Sequence, residues 1–330
     1  MKKNFLTICS VLIATCLSSC ASNNVHHEYN EYFLEVDYKT DFKILQLSDI
    51  HLSMKDDLDK HFKFMDLTIK DANPDLIVVT GDLFTFASKD TMHSLFNFLD
   101  SYSVPWTITY GNHDEQVYFS MEYMTTTLNS FSEYCKYIDH QDDDVYGSAN
   151  FCINLKKDNK IKYQLYVLDS NRYYYGDYFG YDYIHQDQID WYEGMVNYSK
   201  ENNDGTTIPS LAFFHIPFEE YKTAYELYES DSSEVEHIFG DNGESVSSPK
   251  YNSGLFDKMV ELGSTKGTFV GHDHNNNSEI VYKGIHLTYG LHSTDRIYGD
   301  LDRLGGLLIT IHEDDSFSTE RIFHTYDEVK

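Results

Sequence analysis

Three short apolar runs punctuate the first third of the chain: KILQLS at 43–48, DLIVVTG at 75–81 and WTITYG at 106–111. Each reads as a buried strand. Between them, Leu58, Phe62, Met65 and Ile69 recur at helical spacing, and Met92, Leu95, Phe96 and Leu99 do so again. A βαβαβ order predicts parallel neighbouring strands joined by helical crossovers. Further strands are predicted at NFCINL (150–155), YQLYVLD (163–169), LAFFH (211–215), GTFVG (267–271) and GIHLTYG (284–290). Helices are predicted near 186–200 and 251–262, the second ending at Gly263 as a C-terminal cap. The stretch LLITIHEDDSFSTERI closes the chain as an antiparallel hairpin, and the polar stretch 218–250 reads as a long surface loop. No repeat, low-complexity tract or proline-rich linker divides the chain, so one mixed α/β domain is expected.

The amino terminus stands apart from this pattern. Lys2 and Lys3 precede an apolar run, Phe5 to Leu17, too short to span a bilayer as a stable helix, and Leu17-Ser18-Ser19-Cys20 comes next. This resembles the lipobox of bacterial lipoproteins, which implies cleavage before Cys20 and lipid attachment to its thiol. A plain signal peptide cut near Ala21 is the alternative. The expected organisation is a signal peptide at 1–19, a tether at 20–33 and a domain at 34–330, outside the cytoplasm and lipid-anchored to a bacterial membrane. The formal net charge of −29 repels nucleic acid polymers and anionic surfaces, which favours a small substrate. Of five cysteines, Cys135 and Cys152 lie outside the signal region, and spacing alone leaves open whether they pair.

The chemistry lies just past the apolar runs. KILQLS leads into Asp49 and His51, DLIVVTG into Asp82, and WTITYG into Asn112 and His113. LAFF leads into His215, and GTFVG into His272 and His274. Five strands thus deliver metal-ligand side chains at their carboxyl ends, the edge where α/β sheets bind ligands. A single histidine or aspartate after a strand is an ordinary structural or turn residue; five such sites, all oxygen or nitrogen donors, are hard to assign to chance. Two cations about 3.5–4 Å apart can clamp a phosphoryl oxygen, with one carboxylate between them, and Asp82 is the candidate bridge. Asp49 and His51, and likewise His272 and His274, are spaced so that an extended segment would face both one way. With no thiolate in the set, Fe, Mn or Zn is expected.

Asp49-x-His51, Gly81-Asp82, Gly111-Asn112-His113-Asp114, His215 and Gly271-His272-Asp273-His274 resemble, in order and spacing, the motifs of calcineurin-like metallophosphoesterases. PDLIVVTGD, PWTITYGNHDE, LAFFHIPFEEY and YNSGLFDKMVELGSTKGTFVGHDHNN are similar to its Dcr2-type and short purple-acid-phosphatase-like branch. The resemblance implies a two-sheet β-sandwich flanked by helices. It implies one metal held by Asp49, His51, bridging Asp82 and His274, and another by Asp82, Asn112, His215 and His272. His113 would face substrate and Asp114 would orient it. Purple acid phosphatases carry a metal-binding tyrosine three residues after the bridging aspartate; Thr85 stands there, so the tyrosinate band behind the colour should be missing.

The implied reaction is hydrolysis of small phosphate monoesters by a bridging hydroxide. A phosphodiesterase acting on nucleotides or similar diesters needs the same metal pair and remains the alternative. A non-catalytic surface lipoprotein that binds metal or a partner is the alternative of another kind, and the retained His113 speaks against it. Arg172, His292 and Arg296 come after strand ends and are candidate substrate-binding residues. The tyrosine-rich run at 173–183 could stack on an aromatic group or merely pack.

Overall fold

The computed structural model describes residues 28–139, 144–325 and 328; the expected signal peptide and lipobox, with Cys20, lie outside them. The chain runs β1 (Phe33–Asp37), β2 (Phe42–Leu47), α1 (Leu58–Ala72), β3 (Leu76–Thr80), α2 (Lys89–Asp100), β4 (Trp106–Thr109) and α3 (Met121–Leu128). It continues through β5 (Phe151–Lys157), β6 (Lys160–Val167), β7 (Tyr173–Tyr174), β8 (Gly180–Tyr181), α4 (Gln186–Glu201), β9 (Ser210–Phe213) and α5 (Glu219–Glu229). It ends with β10 (Val235–Phe239), α6 (Leu255–Leu262), β11 (Thr265–Val270), β12 (Glu279–Tyr282), β13 (Ile285–Tyr289), β14 (Leu304–Ile311) and β15 (Phe317–His324).

The strands form an eight-stranded sheet in the order β1-β5-β6-β9-β11-β13-β12-β10, a five-stranded sheet β15-β14-β2-β3-β4, and the small hairpin β7-β8. In the five-stranded sheet β2, β3 and β4 are parallel, as the βαβαβ pattern predicts, and β14–β15 is the expected closing hairpin. Alternation along the strands explains how the large sheet is covered twice. Phe151, Ile153, Leu155, Leu165, Val167, Leu211, Phe213 and Phe269 join Ile44, Leu76 and Val78, which share the Gln46 face of the smaller sheet, in one core between the sheets. Their neighbours Cys152, Tyr166, Ala212, Phe214 and Val270 point the other way, into a second core with Trp191, Met195, Tyr221 and Phe256 of the helices. Two-sided burial is why these strands read as continuous apolar runs. The expected helix-flanked two-sheet sandwich is therefore the fold.

Two expectations change, and one open question is answered. The stretch 218–250 contains α5 and the edge strand β10. Only Glu220, Tyr221 and Ala224 of α5 are buried, so its apolar stripe is too narrow to stand out in sequence. The domain begins before residue 34: a helical turn at Tyr29–Tyr32 belongs to it, with Tyr32 buried and its ring 5.5 Å from Trp191. β1 then pairs with β5 from Phe33 onward. Cys135 and Cys152 are both free thiols. Gly263 does cap α6, at φ 67°, its N–H donating to the Met259 carbonyl.

Candidate metal centre

The carboxyl ends of β2, β3 and β4 in one sheet and of β9 and β11 in the other meet at one edge of the sandwich. The bonds beneath that edge run between the sheets. Gln46 donates through Nε2 to Thr80 Oγ1 at 2.8 Å within its own sheet and to the Val270 carbonyl across the gap at 3.0 Å. His215 Nδ1 donates to the Thr80 carbonyl at 2.8 Å. Two glycines that precede ligands allow this approach. A Cβ on Gly111 would collide with the Asp82 carboxylate, and one on Gly271 with the Ser48 hydroxyl.

Asp49, His51, Asp82 and His272 have φ of 55°, 52°, 51° and 78°. These are left-handed conformations, uncommon outside glycine and concentrated at functional sites. The expectation that Asp49 and His51 alternate on an extended segment is thus corrected. Tight turns aim the side chains, held by the His51 N–H donating to the Asp82 carbonyl at 2.9 Å and the Asp49 N–H to the Gly81 carbonyl at 3.1 Å.

The donors form two groups, Asp49–His51–His274 and Asp82–His215–His272, the ligand atoms of each lying within 4.8 Å of one another. His51 Nε2 lies 3.1 Å from His274 Nε2, and His272 Nδ1 lies 3.3 Å from His215 Nε2. Asp82 Oδ2 is 3.2 Å from His215 Nε2 and 3.6 Å from His51 Nε2, so one carboxylate oxygen sits between the groups. Outer partners set the rings: His51 Nδ1 meets Thr85 Oγ1 at 2.9 Å, His274 Nδ1 the Tyr298 carbonyl at 2.8 Å, and His215 Nδ1 that of Thr80. In each case Nε2 is left for the centre, as in metal-binding histidines. Asn112 donates through Nδ2 to Tyr173 Oη at 3.0 Å, while its buried Oδ1 has no hydrogen-bond partner. Facing imidazole nitrogens, two buried carboxylates and an orphaned amide oxygen fit cations.

Charge agrees with this. Burial alone would raise Asp82 and Asp49, yet the surrounding imidazoles hold both below the ordinary carboxylate range. Burial pushes His51 down to about 4 and His272 down to about 3, leaving neutral rings able to act as ligands. Burial also opposes charge on His215, but the Asp82 carboxylate beside it outweighs this and raises it to about 10.

His113 stands beside the centre. Its backbone N–H donates to Asp82 Oδ1 at 2.7 Å, and its ring lies 5.1 Å from that of His51. The expected partnership with Asp114 is corrected. The Asp114 carboxylate accepts the backbone N–H groups of Phe84 and Gly111, at 3.0 and 2.8 Å, and so locks the two loops together. Gln116 Oε1 holds His113 Nδ1 at 2.9 Å. Sequence reasoning misses Gln116, although it sits three residues on in the same turn. It also misses Thr85, Tyr173 and Tyr298 as outer partners, because no spacing rule ties them to the ligands. Tyr181 is another: its ring meets His272 edge-on at 4.4 Å.

The substrate-binding candidates separate. His292 packs against His274, ring centres 4.2 Å apart, with both nitrogens buried and without a hydrogen-bond partner. Arg172 pairs with Glu115 at 2.8 Å, and its guanidinium lies over the Tyr110 ring. Arg296 pairs with Asp56 at 3.0 Å and lines a neighbouring cavity.

A two-sheet sandwich with paired oxygen-and-nitrogen donor groups on one sheet edge, an aspartate between them and a histidine alongside defines a metal-dependent phosphoric ester hydrolase. The chain belongs to the calcineurin-like phosphoesterase family, whose model matches residues 42–276. It is 31% identical over 290 residues to probable inactive purple acid phosphatase 29 of Arabidopsis thaliana, covering 76% of this chain and 71% of that protein. It is 28% identical over 263 residues to phosphatase DCR2 of Saccharomyces cerevisiae, covering 71% of this chain and 44% of the yeast protein. In fold it is similar to a dimetal phosphatase from Danio rerio, with a TM-score of 0.57 at 13% identity over 87% of this chain and the whole of the other.

Proposed function

We propose that the protein hydrolyses small phosphate monoesters at a two-metal centre. One cation would be held by Asp49, His51, Asp82 and His274, the other by Asp82, Asn112, His215 and His272. Bound there, the pair supplies Lewis acidity toward phosphoryl oxygens and a water acidified toward neutrality. The protein's own part is positional: the Asp82 oxygen sits between the groups, and His113 faces the departing oxygen and hands it a proton. The observation that carries the reading is the convergence of the six expected carboxylate and imidazole donors in two groups, beside the unpartnered Asn112 oxygen and an intact His113. A relative bearing the word inactive in its name makes the non-catalytic reading concrete; the complete donor set weighs against it here.

The test is hydrolysis of chromogenic mono- and diesters by the protein supplied with Mn, Zn or Fe. Faster monoester turnover is expected. A diester preference would make it a phosphodiesterase, and turnover of neither with metal bound would make it a binding protein. We also place it outside the cytoplasm, lipid-anchored through Cys20, on the charge, length and cysteine position of the first twenty residues. Cys20→Ser should release it from lipid; continued partition with membranes would refute the anchor.

A further inference from the structure

Beside the metal centre lies a second concavity of about 530 Å³, walled by the loops after β2, β3 and β13 and by Tyr118. We propose that it is the leaving-group subsite and that it selects an aromatic leaving group of one or two rings. The inference rests on the phosphomonoesterase reading.

Position comes first. Thr85 belongs to both places: it lines the cavity, and its Oγ1 holds His51 Nδ1. The next residue, Phe86, donates its N–H to the Gln116 carbonyl, and the Gln116 side chain holds His113. The cavity wall is therefore tied to the histidine that would face the departing oxygen.

The lining is unusual for this surface. Met54, Phe86, Tyr118 and Ile297 are 49%, 55%, 65% and 50% exposed, gathered round one cavity on a protein of net charge −29. Clustered exposed apolar groups on a soluble domain mark a binding site more often than scattered ones do. The Phe86 and Tyr118 rings lie 6.5 Å apart. The volume falls in the range of small-molecule sites.

The backbone supplies an independent sign. Phe86 and Ile297 sit at φ 57° and 68°. A bulky aromatic and a β-branched residue are poor choices for the left-handed region, and such strain persists where surrounding structure imposes it, typically at ligand sites. The loops hold it through Met54 N–H to the Phe86 carbonyl and Tyr118 N–H to the Ala87 carbonyl, at 3.3 and 3.0 Å. At the wall Arg296 is paired with Asp56, and Lys55 stands beside them. The apolar side chains, not the charges, carry the choice of a ring.

The competing location is the β7–β8 hairpin, where Tyr175 and Phe179 are 78% and 71% exposed with rings 5.5 Å apart. That platform is open, whereas the cavity can enclose a ring.

The experiment measures binding of benzylphosphonate and methylphosphonate to the Mn-loaded protein by calorimetry, with phenyl phosphate turnover on the same samples. Benzylphosphonate should bind about tenfold more tightly, the size expected from one stacked ring. The exposed pair F86A/Y118A should reduce the preference to about threefold or less and raise KM for phenyl phosphate, while Y175A/F179A should leave the preference intact. Equal binding of the two phosphonates by wild type overturns the subsite. So does loss of the preference in Y175A/F179A alone. A wild type that shows the preference and loses it in F86A/Y118A, yet turns over no monoester, keeps the aromatic site and refutes the hydrolase reading instead.

Discussion

The two sheets contribute unlike chemistry to the shared edge. The five-stranded sheet brings Asp49, His51, Asp82 and Asn112, three oxygen donors and one nitrogen; the eight-stranded sheet brings His215, His272 and His274, all imidazoles. One wall is anionic, and the other is neutral or cationic according to its protons. Neither group of donors belongs to one sheet: Asp49 and His51 need His274 from the other side, and His215 and His272 need Asp82. The centre is a property of the contact between sheets. Any change that separates them should therefore cost metal before it costs secondary structure.

The largest effect should come from the residue both groups share. Asp82→Asn should lower turnover by at least about 10⁴-fold, more than about 5 kcal/mol of barrier, and reduce bound metal below two per chain. Activity near wild type with two metals retained would remove Asp82 from the bridge. Next is His113→Asn, expected to cost about 10²–10⁴-fold while both metals stay bound, because its ring adjoins the donors without completing either group. The deficit should shrink for good leaving groups; metal loss in this variant would make His113 a ligand or support.

A tie away from the centre tests the same contact between sheets. Glu279 of the large sheet is 1% exposed and accepts from Arg321 of the five-stranded sheet at 2.8 Å, from Thr319, and from His286 at 2.8 Å. Glu279→Gln strips the charge facing Arg321 and should destabilise the fold by about 3 kcal/mol, read by denaturant melts. Burial works against the Glu279 carboxylate, but His286, Thr319 and Arg321 outweigh it and hold it below its ordinary 4.5. A carboxyl lowered by folding stabilises fully above its unfolded value and loses that contribution as pH falls through the folded one. The gap between wild type and variant should narrow below about pH 4.5. A gap constant down to about pH 3 would contradict the pairing. The smallest effect is that of Thr85→Val, which removes the outer bond to His51 and should weaken metal binding by about tenfold. Neither wild type nor variant should show a tyrosinate band with Fe bound; a violet sample would mean another tyrosine reaches the metal.

The strands that build the centre were legible because they are buried on both faces and appear as apolar runs that end in chemistry. Asp49, His51, Asp82, Asn112, His113, His215, His272 and His274 could be picked out by that rule, and the family resemblance set His113 apart from the ligands. α5 and β10 were not legible, since a narrow buried stripe and an exposed edge leave little pattern. Nor were the partners of the ligands. Nothing local ties Thr85 to His51 or Tyr298 to His274, and the family resemblance, not any local pattern, made Asp114 the partner of His113.

Strand periodicity and donor type are local properties, so the chain's own order of residues says which side chains carry the chemistry and on which strand ends they stand. Their arrangement is another matter. Left-handed turns at Asp49, His51 and Asp82 aim side chains that an extended chain would have aimed elsewhere. The pairing of donors across two sheets, the hold of Gln116 on His113, and the cavity beside Thr85 all depend on how the turns and sheets come together in space. Those distances come from how the two cores pack, and packing is a sum over the whole molecule that no short stretch contains.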